Sequence, residues 1–203
     1  MSISVIFLPG QLSQQLKRGH PWVYRNQVLN ELRLPSGTWV QVQCGNWMGY
    51  GLWDARSPIA VRVFSQTQVP DADWIAQRVH EAWQRREPLR NSQDSQPTSA
   101  YRWLFGEGDG VPGIVVDLYN DYAVLQTYAE SLEVIVPWVA EGLKTCTRLK
   151  GILRRNAARV RRPNSIFLRG VRRTGSSNIG AACVRSICWS SDKVVGSSLK
   201  NAA

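Results

Sequence analysis

The first 68 residues carry hydrophobic side chains with a period of two, which is the pattern of half-buried β-strands. The alternation is clear at residues 3–7, 39–42 and 59–64, and Gly and Pro turn signals separate these segments. Between residues 46 and 53, two glycines divide the apolar positions, and we expect a further pair of strands there. Several short strands with closely spaced turns predict a small β-barrel over residues 1–68.

The period changes to that of a helix after this barrel. Ile75, Val79, Ala82 and Trp83 recur at helical spacing and form one apolar stripe. The pattern predicts a linking helix over residues 71–87.

A second unit with mixed elements is predicted over residues 70–162. After the linking helix, its order is strand, strand, strand, helix and strand, at residues 101–105, 114–117, 122–128, 132–146 and 151–154. The chain is therefore expected to have an α+β fold, with the barrel first and this unit second.

Positive charge is concentrated near the end of the sequence. Residues 148–203 contain 13 Lys and Arg against one acidic residue, whereas the whole chain has a net charge of +10. From residue 163 onward the apolar positions lose both periods, so little would offset an ordering cost of about 1–2 kcal/mol per residue. We expect residues 163–203 to be a disordered basic tail, and we hypothesise that it is an out-of-frame reading of the gene.

The composition argues against membrane, secreted and metal-binding classes. The sequence has no run of 18 apolar residues and no signal-peptide pattern at its start, so we expect a cytoplasmic protein with no membrane partner. The four cysteines, Cys44, Cys146, Cys183 and Cys188, form no C-x-x-C pair, and only two histidines are present. A zinc site needs four clustered ligands, so no metal is predicted.

Residues 108–113 fit the pattern G-x-G-x-x-G, but the context differs from that of a dinucleotide site. Such a site needs the loop to open a helix, whereas here Pro112 lies within the loop and a β-branched strand follows. Glu107 and Asp109 would also repel phosphate. We interpret the glycines as turn residues and the two acids as groups that stabilise their own loop.

Four segments, read together, resemble one family. They are the basic-x-His-Pro-Trp-Val-aromatic stretch at 18–24, the barrel end at 49–62, the segment YRWLFGEGDGVPGIVVD at 101–117, and the arginine-rich stretch at 154–161. These are similar to the PUA-domain-containing, S-adenosylmethionine-dependent rRNA cytosine-C5 methyltransferases that act on the large ribosomal subunit. The resemblance covers residues 1 to about 162.

The resemblance implies a PUA-type barrel and structured rRNA as the partner. In that family, a third, Rossmann-like domain binds S-adenosylmethionine and carries the catalytic residues. This sequence departs from the pattern near Arg162, and neither Cys183 nor Cys188 lies in the expected Pro-Cys context. We therefore expect a chain truncated before the catalytic domain, with no catalytic residues, no cofactor-binding residues and no cofactor of its own.

The candidate RNA contacts are basic residues in the barrel and at the end of the second unit. They are Lys17, Arg18, His20, Arg25, Arg56, Arg62, Arg154, Arg155, Arg159 and Arg161. Arg62 points off the barrel core and faces either solvent or RNA. Trp22, which lies beside the candidate contacts in the sequence, is either a core residue or a surface on which a base stacks. The cluster at 148–162 is an RNA contact or a solvated connector.

Three functional hypotheses follow. The first is the RNA-binding part of an rRNA cytosine-C5 methyltransferase, as a monomer or a homodimer. The second is a working methyltransferase, and the third is a non-RNA interaction module or an inert product. Binding of rRNA fragments across a salt series separates the first from the others.

Overall fold

The computed structural model describes residues 3–91 and 98–157. The predicted tail at 163–203 lies outside the described residues. Within them, two β-sheets and four α-helices confirm the predicted α+β fold class.

The first sheet contains five strands in the order β1-β3-β4-β5-β2. They are β1 (Ser4–Phe7), β2 (Trp22–Tyr24), β3 (Trp39–Cys44), β4 (Trp47–Trp53) and β5 (Ile59–Ser65). β1 pairs with β3 in parallel, and the other neighbours are antiparallel. A short helix, α1 (Ser13–Lys17), connects β1 toward β2.

The expected strand pair at 46–53 is wrong, because these residues form one continuous strand, β4. Its two glycines allow close approach and do not interrupt the strand. A Cβ on Gly51 would collide with the carbonyl oxygen of Arg62 in β5, and one on Gly49 would lie 2.6 Å from the Trp47 ring. Small residues are thus required where β4 is packed most tightly.

One face of the first sheet encloses the barrel core. Val23, Val40, Val42 and Val61 lie on this face, and all are at most 1% exposed. Ile6 joins them from β1. The period of two in the sequence arises because the intervening side chains point to the opposite face.

The second part of the chain is a four-stranded sheet with helices on one side. Its elements are α2 (Ala72–Arg85), α3 (Glu87–Arg90), β6 (Ala100–Phe105), β7 (Ile114–Tyr119), β8 (Tyr122–Thr127), α4 (Val136–Cys146) and β9 (Gly151–Asn156). The strand order is β6-β7-β8-β9, with β9 parallel to β8 and the others antiparallel.

Local sequence sets the starts of the two long helices. The Asp71 carboxylate accepts a hydrogen bond of 2.8 Å from the backbone N–H of Trp74, which caps the start of α2. The helix expected from residue 132 begins at Val136 instead, after a 3₁₀ segment at Glu130–Ile135. Pro137 explains the difference, because proline is favoured in the first turn of an α-helix.

The outer face of the first sheet packs against the second part of the chain. Trp39, Leu52, Arg62 and Trp22 form one row across β3, β4, β5 and β2. Leu52 is fully buried and belongs to the hydrophobic core of the second part. Trp39 and Phe64 meet edge to face at 5.3 Å, and Phe64 meets Trp74 of α2 at 6.4 Å. The two sheets therefore share one continuous apolar interface.

Candidate nucleic-acid interface

Lys17, Arg18 and His20 are exposed together where α1 ends, and we call these three residues the basic rim. Gly19 lies between them with a φ of +87°, a left-handed conformation that glycine adopts at little cost. The turn separates the helix from β2 and leaves the rim in solvent. The structure thus brings these three predicted RNA contacts together.

Trp22 joins the basic rim to the loop at residues 106–109. Its ring meets His20 edge to face at 5.8 Å, and its Nε1 donates a hydrogen bond of 2.9 Å to Oε1 of Glu107. Trp22 is half-buried, so it is not a fully enclosed core residue, and its role as a stacking surface stays a prediction.

Arg56 lies on an exposed loop at the opposite end of β2 from the rim. The Asp54 carboxylate accepts backbone hydrogen bonds from Arg56 at 3.1 Å and from Ser57 at 2.9 Å, which fixes the turn. Burial opposes ionisation of Asp54, but these bonds and one from Ser131 lower its pKa below the ordinary value. Arg56 itself has an exposed side chain that phosphate can reach.

Arg25 holds this loop against the barrel. Its guanidinium donates to the carbonyl oxygens of Asp54 and Ser57, and it lies 5.0 Å from the centroid of the Trp53 ring. Four such contacts restrict the side chain, so Arg25 supports the position of Arg56. Its predicted contact with RNA stays a prediction.

Arg62 is buried, and its predicted solvent-facing position is wrong. The side chain does point off the barrel core, but it lies against Gly113 of the second part, and only 5% of the residue is exposed. Burial lowers the pKa of the guanidinium, and the charges of Asp54 and Glu107 partly offset that effect. Nη1 of Arg62 is buried, and none of the described residues accepts a hydrogen bond from it.

Arg154 and Arg155 lie on β9, on opposite faces of the second sheet. Arg154 is half-buried and forms an ion pair with Glu133, whereas Arg155 is exposed on the face that has no helices. Arg159 and Arg161 lie outside the described residues. The structure therefore separates Arg154 and Arg155 and does not form one basic surface from the two.

The glycine-rich loop at 106–113 leads into strand β7 and not into a helix, as the sequence predicts. Asp109 is buried and accepts hydrogen bonds from the two terminal nitrogens of Arg86 at 2.8 and 2.7 Å and from the backbone N–H of Phe105 at 2.6 Å. Arg85 adds an ion pair at 2.9 Å. Asp109 thus stabilises its own loop and also ties it to the end of α2.

Sequence reasoning missed the open face of the second sheet as a candidate site. Phe105, Val115, Gln126 and Arg155 form a row across all four strands there. Phe105 is 54% exposed although it is large and apolar. Its position, one before the glycine-rich loop and alternating with buried Leu104, is the signal in the sequence for an outward-facing aromatic ring.

The described cysteines are poor nucleophiles. Burial raises the pKa of the thiols of both Cys44 and Cys146, which keeps them protonated at neutral pH. Cys183 and Cys188 lie outside the described residues. In residues 3–91 and 98–157, no group of three metal-ligating side chains is found.

None of the helices in the part of the chain that the structure describes is long and apolar enough to span a bilayer.

Comparison with known proteins identifies the first part of the chain. Residues 6–66 match the family model of a PUA-like domain. Ribosomal RNA large subunit methyltransferase I from Shewanella denitrificans is 36% identical over 132 residues, which cover 62% of this chain and 32% of the relative. The protein of the same name from Shewanella amazonensis is 34% identical over 155 residues, covering 72% of this chain and 38% of the relative.

A solved structure shares the fold. A candidate S-adenosylmethionine-dependent methyltransferase from Streptococcus mutans superimposes with a TM-score of 0.69 at 18% identity, over 85% of this chain and 44% of that one. The sequence identities of 34–36% make the chain homologous to the large-subunit rRNA methyltransferases I, and it spans about a third to two fifths of their length.

Proposed function

We propose that the described residues form the RNA-binding part of a large-subunit rRNA cytosine-C5 methyltransferase. Structured rRNA is the partner, and the basic rim with Arg56 makes the phosphate contacts. The observation that carries this proposal is the exposed group Lys17, Arg18 and His20 on a PUA-like domain whose homologues are named as rRNA methyltransferases. An rRNA partner also implies a cytoplasmic location.

The charges around the rim support this assignment. Lys17 and Arg18 have exposed side chains, so they keep their ordinary hydration until a phosphate displaces counterions. The nearby Glu107 accepts a hydrogen bond from Trp22, and its charge also faces the buried guanidinium of Arg62. Its negative charge is thus partly compensated within the protein, which leaves the rim with net positive charge.

We further propose that methyl transfer is not performed by the described residues. A cytosine-C5 methyltransferase needs an activated thiolate, and the raised thiol pKa values of Cys44 and Cys146 oppose that state. The second functional hypothesis, a working methyltransferase, predicts that the full chain binds S-adenosylmethionine. Titration calorimetry should show no heat of binding, and a measurable heat would favour that hypothesis.

Binding of an rRNA hairpin across a salt series tests the RNA function. Each phosphate contact that is lost reduces the slope of log K against log salt by about one. The double variant Lys17→Ala/Arg18→Ala should therefore reduce the slope by about two. The control is Arg33→Ala/Lys144→Ala, which removes one arginine and one lysine from exposed positions outside the basic rim and outside the cluster at 148–162.

The two double variants give opposite expectations. The rim variant should weaken hairpin binding at low salt, and the control should keep the affinity and slope of the unmodified chain. Equal slopes for all three proteins would contradict the proposal, as would an unmodified chain that shows no binding at low salt.

A further inference from the structure

One row of side chains on the open face of the second sheet combines an exposed aromatic ring with polar groups. Phe105, Val115, Gln126 and Arg155 are neighbours in register on β6, β7, β8 and β9. With strands about 4.8 Å apart, the row extends over about 14 Å. The helices α2 and α4 lie on the other face, where the core of this part is buried.

Phe105 is a flat, fixed and accessible ring at one end of this row. It is 54% exposed, and the guanidinium of Arg102 lies 5.5 Å from the ring centroid. A Cβ on Gly108 would lie 3.0 Å from the ring, so the glycine leaves room for it. A hollow of about 370 Å³ lies beside Phe105, lined also by Tyr101, Arg102 and Tyr119.

Two other members of the row, Gln126 and Arg155, carry polar groups. The Tyr128 hydroxyl donates to Oε1 of Gln126 at 3.3 Å, which leaves the amide nitrogen of Gln126 as a donor. Arg155 is exposed at the far end. Asp117 is the acid near Phe105, and Arg102 neutralises it with an ion pair of 2.9 Å. The row therefore combines one aromatic ring, one amide and one exposed guanidinium.

We propose that this row binds an unpaired segment of RNA, with a base stacked on Phe105, the Gln126 amide at a base edge, and Arg155 at a phosphate. Base stacking on aromatic rings of a four-stranded sheet is an established physical mode of single-strand recognition. A protein partner is less well matched, because Val115 is only 9% exposed and Phe105 is not part of a broad apolar patch in this row.

This inference rests on the proposed RNA function but concerns a different surface and a different form of RNA. The basic rim would contact the phosphates of a folded RNA, whereas the row would hold bases that are not paired. Glu107 and Trp22 connect the loop after Phe105 to the rim. The two surfaces are thus placed to contact a stem and an adjacent unpaired strand of one RNA.

The test uses the full chain and two RNA probes: a single-stranded octanucleotide with one 2-aminopurine, and an rRNA hairpin. Stacking on Phe105 should change the fluorescence of the 2-aminopurine. Phe105→Leu should weaken binding of the octanucleotide about tenfold, since the flat ring is lost while an apolar side chain remains. The matched control is Phe7→Leu, at a phenylalanine that is 48% exposed on β1.

The outcomes separate this inference from the proposed function. If Phe105→Leu and Phe7→Leu bind the octanucleotide equally well, or if the chain binds the hairpin without binding the octanucleotide, the inference is wrong and the rim function stands. If the chain binds neither probe, the proposed function fails as well. If Phe105→Leu, but not Phe7→Leu, changes the sedimentation coefficient of the chain, the open face is a contact between two copies of the chain. That result would also overturn the inference. Urea unfolding of each variant verifies that it is folded.

Discussion

Replacement of Asp109 by asparagine should destabilise the protein more than the same replacement of Asp117, a carboxylate that also pairs with arginine. Asp109 is 5% exposed and accepts two hydrogen bonds from Arg86, whose side chain is 16% exposed. Asn keeps the shape and one acceptor oxygen. It removes the charge, however, so the partly buried Arg86 loses its counterion.

The magnitude follows from the three partners of Asp109. Arg85 is 52% exposed, so its ion pair contributes about 0–1 kcal/mol. The bonds from Arg86 join two ionised groups away from water, and such charge-assisted bonds contribute about 1.5–3 kcal/mol. The backbone N–H of Phe105 retains an acceptor in the variant. We therefore expect Asp109→Asn to lower the free energy of unfolding by about 2–3 kcal/mol.

Asp117→Asn provides the matched control. Asp117 pairs with a single arginine, Arg102, which is 47% exposed, so the expected loss is below about 1 kcal/mol. Urea unfolding can be followed by tryptophan fluorescence, because unfolding exposes the buried ring of Trp103. The centroid of this ring lies 4.3 Å from that of Trp83 in the folded protein. Equal losses of stability in the two variants would refute the reasoning that burial gives the Asp109 pair its strength.

Three further predictions concern the interface between the sheets. Because the folded protein lowers the pKa of Asp54, its ionised form stabilises the fold above the unfolded pKa of about 3.9, and this stabilisation is lost as the pH falls through the lower folded pKa. Asp54→Asn should therefore be less stable than the unmodified chain at pH 7, with a gap in urea midpoint that narrows as the pH falls below the unfolded pKa of about 3.9; a gap that stays constant with pH would contradict this. Gly113→Ala should cost about 1–3 kcal/mol, because its φ is +76° and its new Cβ would lie 2.8 Å from Leu132, whereas Gly10→Ala meets nothing within 4 Å and should be neutral in thermal melts. Arg62→Met removes the buried Nη1, for which the described residues supply no hydrogen-bond partner, but it also removes the charge that faces Asp54 and Glu107. The two effects should nearly cancel, so the free energy of unfolding should change by less than about 1 kcal/mol; a larger loss would show that the charge attraction outweighs the cost of burying Nη1.

The local pattern of the sequence was sufficient for most elements. The period of two predicts the strands of the barrel, and the stripe of Ile75, Val79 and Ala82 predicts α2, because burial of one face acts on neighbouring residues. The pattern fails at β4, where it predicts a break at Gly49 and Gly51. Their role depends on how closely β5 and the Trp47 ring approach them in the folded protein. The hydrophobic pattern of the sequence does not show these distances.

The candidate site was only partly predictable for the same reason. Lys17 and Arg18 could be identified because a turn beside a charged pair leaves both side chains in solvent. The burial of Arg62 could not, since Gly113, which lies against it, follows it by 51 positions. The pairing of Asp109 with Arg86 is also a contact over 23 residues. Such contacts depend on how the two sheets pack.

Leu52 has a consequence for how the molecule unfolds. It is a residue of the barrel strand β4, but its neighbours in the core are those of the second sheet and its helices. A fragment that ended near residue 68 would leave this leucine and Trp39 in water. The barrel and the second sheet should thus melt as a single cooperative unit, although their order along the chain suggests two modules.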